Sequence, residues 1–170
     1  MAADDQARKK NPLGITGITA ADNIKRLRDG LPFTELAERL KSIGRPIPPL
    51  GLRKLETYER RVDADDLVAL AVALGVSPIT LLMPRASAPD ELVDITGFDG
   101  DLPAAALFAW LSARDALPAQ AGGVNMTRVA FLARALPDWM QQMARIQFDH
   151  ERQQEEWFNS LLEPGNGNDQ

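Results

Sequence analysis

The sequence predicts an all-α protein in which a five-helix domain is followed by a smaller, mostly helical second domain. In several separate stretches, apolar residues recur every third or fourth position, which is the periodicity of an amphipathic helix. Glycine and proline stand between these stretches and mark their ends. With 170 residues of which 45% are hydrophobic, the chain has enough apolar material to build a buried core.

Composition restricts the compartment and the chemistry. The chain has no Cys, which excludes disulfides and thiolate metal sites and favours a reducing compartment, so we expect a cytoplasmic protein. No apolar run approaches the roughly 20 residues that span a bilayer, and the N-terminal residues have no apolar core of a signal peptide. We therefore expect no membrane partner.

The first predicted helix follows a polar leader. Residues 1–17 contain Arg8, Lys9 and Lys10 and predict a flexible leader, which is either an arm that adds phosphate contacts or a solvated tail. Thr19 and Asp22 have the spacing of a capping box and predict the start of a helix that ends at Gly30.

The stretch from Leu31 to Glu56 predicts two short helices joined by a turn. The first helix has one apolar face, since its apolar residues are spaced i, i+3, i+4 and i+7. Gly44 and the following prolines end it, and Pro49 suits the first turn of the next helix because its missing N–H is not needed there. The apolar positions of the first helix are Phe33, Leu36, Ala37 and Leu40.

The second of these helices has two distinct sides. At 100° per residue, Leu52, Leu55 and Glu56 fall on one side, which we expect to pack against the protein. The opposite, exposed side carries Leu50, Arg53, Lys54 and Thr57. Two cations beside an apolar residue suit a DNA major groove, where cations donate to guanine O6 and N7 and apolar side chains meet thymine methyl groups. A solvated charged face is the alternative.

Two further helices complete the first domain. Asp63 begins a helix with Asp65 and Asp66 in its first turn, where carboxylates complement the helix dipole. Capping explains these carboxylates better than catalysis does. Gly75 closes that helix, and Ser77 with Pro78 opens a short fifth helix.

Several blocks of this region resemble a known family. The segments ADNIKRLRDGLPFTELAERL and LGLRKLETYERRVDADDLVALAVALGVSPITLL resemble the XRE (Cro/CI-type) helix-turn-helix regulators over about residues 19–84, in an actinobacterial or phage-like variant. The resemblance implies a lambda-repressor-like helix-turn-helix domain over residues 18–84 and sequence-specific binding to double-stranded DNA. Pro32 and Phe33 stand where many family members have Ser and Gln, so the Gln phosphate contact is not carried over.

Charge is divided unevenly and agrees with this placement of the DNA surface. Residues 1–85 carry 14 Lys and Arg against 11 Asp and Glu, a net +3, whereas residues 86–170 carry 5 against 13, a net −8. Cations around the motif are candidates for phosphate contact. We predict base reading by Leu50, Arg53, Lys54 and Thr57, and phosphate contact by Thr34, Arg39, Lys41, Arg45, Arg60 and Arg61.

The second half begins after a linker at residues 85–90, where small residues lie between prolines. Residues 91–163 predict an acidic helical domain for dimerisation or for binding a partner or ligand, and residues 164–170 predict a flexible tail. Residues 91–96 are either a strand or a connection. Helices are expected from Leu102 and from Asn125 or Met126.

The last predicted helix, residues 138–162, carries a heptad-like seam. Positions 139, 143, 146, 150, 153 and 157 alternate in steps of four and three, the spacing of helix against helix, and the polar residues His150 and Gln153 interrupt the apolar run. This seam predicts packing within its own domain and contact with a second copy of the chain or with a protein partner. The seam residues are Trp139, Met143, Ile146, Trp157 and Leu161.

No cofactor, metal or enzyme is predicted. The chain has one His and no glycine-rich phosphate loop or metal-ligand spacing. Two hypotheses remain: a DNA-binding transcriptional regulator, typically a repressor acting by operator occupancy, or an antitoxin or adaptor whose second domain binds a protein partner.

Overall fold

The described residues form helices and short connections. The structure, a computed structural model, describes residues 13–119, 123, 125–142, 153–154 and 157. The all-α prediction is confirmed for this part of the chain, in which the only β pairing is an isolated antiparallel bridge between Leu92 and Pro103. Residues 138–142 are also helical. The other helices are α1 (Ile15–Arg28), α2 (Phe33–Ser42), α3 (Pro49–Glu56), α4 (Ala64–Leu74), α5 (Pro78–Leu82), α6 (Ala104–Leu111) and α7 (Arg128–Ala135).

The start predicted for α1 is wrong. The helix begins at Ile15, so residues 15–17, assigned to the leader, are helical, and Thr19 is not a cap. The backbone N–H of Thr16 donates to Thr96 Oγ1 at 3.3 Å, and the N–H of Thr96 donates to Thr16 Oγ1 at 2.9 Å. A partner 80 residues away therefore satisfies a first-turn donor, which local sequence patterns cannot show.

The caps predicted for α4 and α5 are confirmed. Asp63 precedes α4 and its carboxylate accepts from the backbone N–H of Asp66 at 2.7 Å. Gly75 ends the helix in the left-handed conformation, with φ of 69°, which a side chain would disfavour. Ser77 caps α5 by accepting from the N–H of Ile79.

Helices α1 to α5 share one apolar core. Fully buried leucines come from α2, α3, α4 and α5, and each contributes roughly 1.5–3 kcal/mol relative to an exposed side chain. Asn23 on α1 is buried and its amide donates to the carbonyls of Leu81 and Met83, which ties α1 to the end of α5. The core residues are Ile24, Leu36, Leu40, Ile47, Leu52, Leu55, Ala69, Leu70, Ala71 and Leu81.

A second, smaller cluster lies after α5. Val93, Leu102, Ala104 and Leu107 are buried together, and Met83 and Trp110 pack against them. Residues 85–90, predicted as a linker, are exposed and contain neither helix nor strand. Residues 91–96 make one bridge and are otherwise a connection. The bridge consists of two backbone hydrogen bonds: the N–H of Val93 donates to the carbonyl of Leu102, and the N–H of Ala104 donates to the carbonyl of Glu91.

Candidate nucleic-acid interface

Helix α3 has one buried side and one exposed side, as its sequence predicts. Leu52, Leu55 and Glu56 are buried. On the opposite side Leu50, Arg53, Lys54 and Thr57 are exposed, and the side chain of Leu50 is 63% exposed despite being apolar. The predicted base-reading residues therefore share a face that faces away from the core.

The connection between α2 and α3 fixes where α3 begins. Gly44 has a φ of 83°, a turn conformation that favours glycine. Ile47 is buried in the core and anchors the connection, and Pro49 occupies the first turn of α3. A Cβ added at Gly51 would lie 3.2 Å from Ile47 Cγ2, so α3 approaches the connection closely.

An ion pair holds the inner side of α3 to α1. The guanidinium of Arg28 donates to both carboxylate oxygens of Glu56, at 2.7 and 3.0 Å, and to the carbonyl of Leu31 at 2.7 Å. Its carbon Cζ lies 4.2 Å from the ring centroid of Phe33 at the start of α2. The hydrogen bond to Glu56 raises the pKa of Arg28. Arg28 therefore connects α1, α2 and α3.

A second ionic cluster ties the connections before and after α3 to helix α4. The buried carboxylate of Asp66 accepts from Arg45 Nε at 2.9 Å and also from Arg60 Nη2. Arg45 precedes α3 and Arg60 follows it, so α4 anchors both connections through one carboxylate. Arg45 Nη2 also lies 3.1 Å from Asp63 Oδ2.

These contacts shift the pKa values of Arg45 and Asp63 in the direction that favours their charged forms. The hydrogen bond to Asp66 raises the pKa of Arg45. The backbone N–H of Asp66, and then the charge of Arg45, lower the pKa of Asp63. Arg45 and Arg60, predicted as phosphate contacts, are thus committed to partners within the protein.

The other predicted phosphate contacts are exposed. Arg39 pairs with Glu35 at 2.7 Å and Lys41 with Glu38 at 3.7 Å, each within one helix. Exposed pairs of this kind contribute little and can be exchanged for another anion. Thr34, at the start of α2, and Arg61 are also exposed.

The first turns of α2 and α3 enclose a shallow groove. Its volume is about 480 Å³, and Thr34, Leu50 and Arg53 line it together with Phe33 and the neighbouring prolines. The fold thereby brings one predicted phosphate contact beside two predicted base-reading residues.

The exposed side chains of α3 differ in whether they already bind a partner within the protein. Within the part of the chain that the structure describes, the side chains of Arg53 and Lys54 have no ion pair or hydrogen bond. The hydroxyl of Thr57, in contrast, lies 3.1 Å from the carbonyl of Arg53 and 2.8 Å from Glu59 Oε1. Thr57 is therefore partly occupied at the C-terminal end of α3.

Two of the five predicted seam residues lie within the described chain. Trp139 is 76% and Trp157 65% exposed. Met143, Ile146 and Leu161 lie outside the described residues. The exposed indoles are the largest apolar side chains on the described surface of this segment.

Sequence reasoning missed the Arg28–Glu56 pair and the Asp66 cluster. The only signal of the first was a carboxylate on the apolar side of α3, which requires a cation once it is buried.

Over the described chain, no helix is both long and apolar enough to span a membrane. Comparisons of the chain with protein-family models, with curated proteins and with solved structures find no match in any of the three.

Proposed function

We propose that this protein is a sequence-specific DNA-binding regulator that reads the major groove with the exposed side of α3. The observation that carries the proposal is the contrast between the two sides of this helix. Its inner side is packed and ion-paired, whereas Arg53 and Lys54 on the outer side have no partner among the described residues. Unpaired cations on a rigid helix can bind DNA without first losing an internal ion pair.

The chemistry of the outer side suits base edges. Arg53 and Lys54 would donate to guanine O6 and N7, and Leu50 would contact a thymine methyl group. Thr34 shares the groove with Leu50 and Arg53, so it would meet the phosphate backbone beside the bases that α3 reads. In this proposal α2, the connection and α3 form a helix-turn-helix, as in the XRE regulators that the sequence resembles.

The proposed mechanism is occupancy of an operator, so the protein would act as a repressor wherever its site overlaps a promoter. A homodimer with two-fold symmetry would place two copies of α3 in successive major grooves, roughly 34 Å apart. The operator would then be an inverted repeat. The acidic second half would limit nonspecific binding to phosphate.

The decisive experiment is selection of bound sequences from a random duplex library at near-physiological salt. We expect an enriched motif with the native protein and its loss with Arg53→Ala/Lys54→Ala. Each lost bidentate base contact should weaken specific binding by about 5- to 150-fold, since such a contact contributes roughly 1–3 kcal/mol of discrimination.

The matched control is Lys25→Ala/Arg134→Ala, which removes the same charge from exposed cations of α1 and α7. This control should keep the enriched motif. Failure of the folded native protein to enrich any sequence, or equal loss in both double variants, would contradict base reading by α3.

A partner-binding function is favoured by a different observation, the exposure of Trp139 and Trp157. In that case the protein is an antitoxin or adaptor, and the substitutions at Arg53 and Lys54 leave partner binding unchanged. Trp139→Ala, which leaves α3 intact, would then abolish it.

A further inference from the structure

A second concave site, which shares no lining residue with the groove of α2 and α3, is lined by residues of α1, α5 and α6 and of the connection after α5. Its volume is about 340 Å³, near the lower limit of small-molecule sites. Six of the residues that line it bear on its chemistry: Arg26, Ile79, Thr80, Met83, Arg85 and Phe108.

One guanidinium at this cavity is oriented by a buried side chain. Asn23, only 2% exposed, donates its amide N–H groups to the carbonyls of Leu81 and Met83 at 3.1 and 2.8 Å. Its carbonyl oxygen accepts from Arg26 Nη2 at 2.9 Å. This bond uses one of the five N–H donors of Arg26, so the others remain available to an anion.

A second guanidinium lies at the same cavity. Arg85 has no ion pair or hydrogen bond within the described chain. None of the described residues that line the cavity is acidic, and Thr80 adds a hydroxyl to the polar part. Two arginines without a carboxylate between them make the site attractive to an anion.

The rest of the lining is apolar. Ile79 and Met83 contribute aliphatic surface, and the half-exposed ring of Phe108 lines the α6 side. The guanidinium of Arg114 lies 4.8 Å from the centroid of the same ring, which adds positive charge near this wall. A ligand for this site therefore needs both an anionic group and an apolar body.

We propose that this cavity binds a small organic carboxylate, with the carboxylate held by Arg26 and Arg85 and a flat apolar body packed against Met83 and Phe108. Planar guanidinium groups bind carboxylates through paired, charge-assisted hydrogen bonds. A ligand bound here would contact α1, α5 and α6 together. Any effect of the ligand on operator binding rests on the proposed function, whereas its binding does not.

The test uses the full chain and three probes: 2-naphthoate, the neutral alcohol 2-naphthalenemethanol, and inorganic phosphate. Titration followed by NMR should show saturable shifts of the Met83 methyl signal with 2-naphthoate and weaker binding of the other two. Arg26→Gln and Arg85→Gln should each weaken the binding of 2-naphthoate roughly tenfold, the loss of about 1.4 kcal/mol that a charge-assisted bond supplies.

Lys25→Gln is the matched control, because Lys25 is the neighbour of Arg26 on α1 and does not line the cavity. It should bind 2-naphthoate as the native protein does. Absence of a saturable shift at millimolar 2-naphthoate, equal binding of the alcohol or of phosphate, or an equal loss in Lys25→Gln would each overturn the proposal. Saturable binding without any enriched DNA sequence would leave this site standing and reject the regulator function instead.

Discussion

At the scale of single residues, Tyr58 links the connection after α3 to α1. Its backbone is left-handed, with φ of 62°, and its hydroxyl donates to Asp22 Oδ1 at 2.6 Å. The hydrogen bond to Asp22, and then partial desolvation, raise the pKa of Tyr58 above its usual value. Since the chain contains one Tyr, the absorbance of tyrosinate reports this group alone.

We expect the tyrosinate titration of the native protein to have its midpoint above the usual value of about 10. Asp22→Ala removes the acceptor and should lower the midpoint toward that value. Because the folded pKa is raised, the stabilisation is complete below about pH 10 and is lost as the pH rises through the folded pKa. The native protein should thus be more stable than Tyr58→Phe at neutral pH but not in strong alkali.

Asp94→Ala is the control, since Asp94 is exposed and has no partner within the described chain. It should leave the titration unchanged. A midpoint that is the same in Asp22→Ala as in the native protein would contradict the contact.

At the scale of secondary-structure elements, the position of α3 depends on carboxylates that face inward. Glu56 is enclosed by the protein and carries the bidentate contact from Arg28, whose side chain is also mostly covered. Removing one charge of such a pair leaves the other without compensation in a poorly solvated place.

Glu56→Gln preserves the shape of the side chain and removes its charge, so it should lower the free energy of unfolding by roughly 3 kcal/mol. Urea unfolding measures the difference. Glu38→Gln is the matched substitution in an exposed pair with Lys41 and should change stability by less than about 1 kcal/mol. Equal effects of the two substitutions on the free energy of unfolding would show that the charge pair of Arg28 and Glu56 adds no more stability than an exposed pair.

Local features of these elements could be predicted from the sequence, whereas contacts between elements could not. The two sides of α3 and the caps Asp63 and Ser77 follow from spacing and from residues next to each helix end. The start of α1 could not be predicted, because Thr96 supplies its partner. Arg45 and Arg60 have the positive charge that a phosphate contact needs, so the sequence alone predicts that role. Only the fold shows that both donate to the carboxylate of Asp66.

At the scale of the whole molecule, binding of the proposed regulator to a symmetric operator needs a surface that pairs two copies of the chain. Trp157 is 65% exposed and stands at a seam position of the predicted last helix, so we propose that a second copy of the chain contacts it. A second copy of the chain is the partner that an inverted-repeat operator requires.

Trp157→Glu should therefore raise the dissociation constant of the dimer by at least about 30-fold, because losing a central interface residue typically costs roughly 2 kcal/mol or more. Sedimentation over a range of concentrations measures it. Leu92→Glu places the same charge at another exposed apolar position and should leave the mass unchanged. An identical mass distribution for native protein and Trp157→Glu would exclude this surface from dimerisation.

The paired hydrogen bonds between Thr16 and Thr96 have a consequence for the order of folding. They join residues 80 positions apart, and all ten residues of the first core lie in the chain segment between them. Closing so long a loop is entropically costly until the helices between its ends have packed. We therefore expect the start of α1 to become ordered late, after α2 to α5 have assembled, and to be among the first parts of the described chain to open when the protein unfolds.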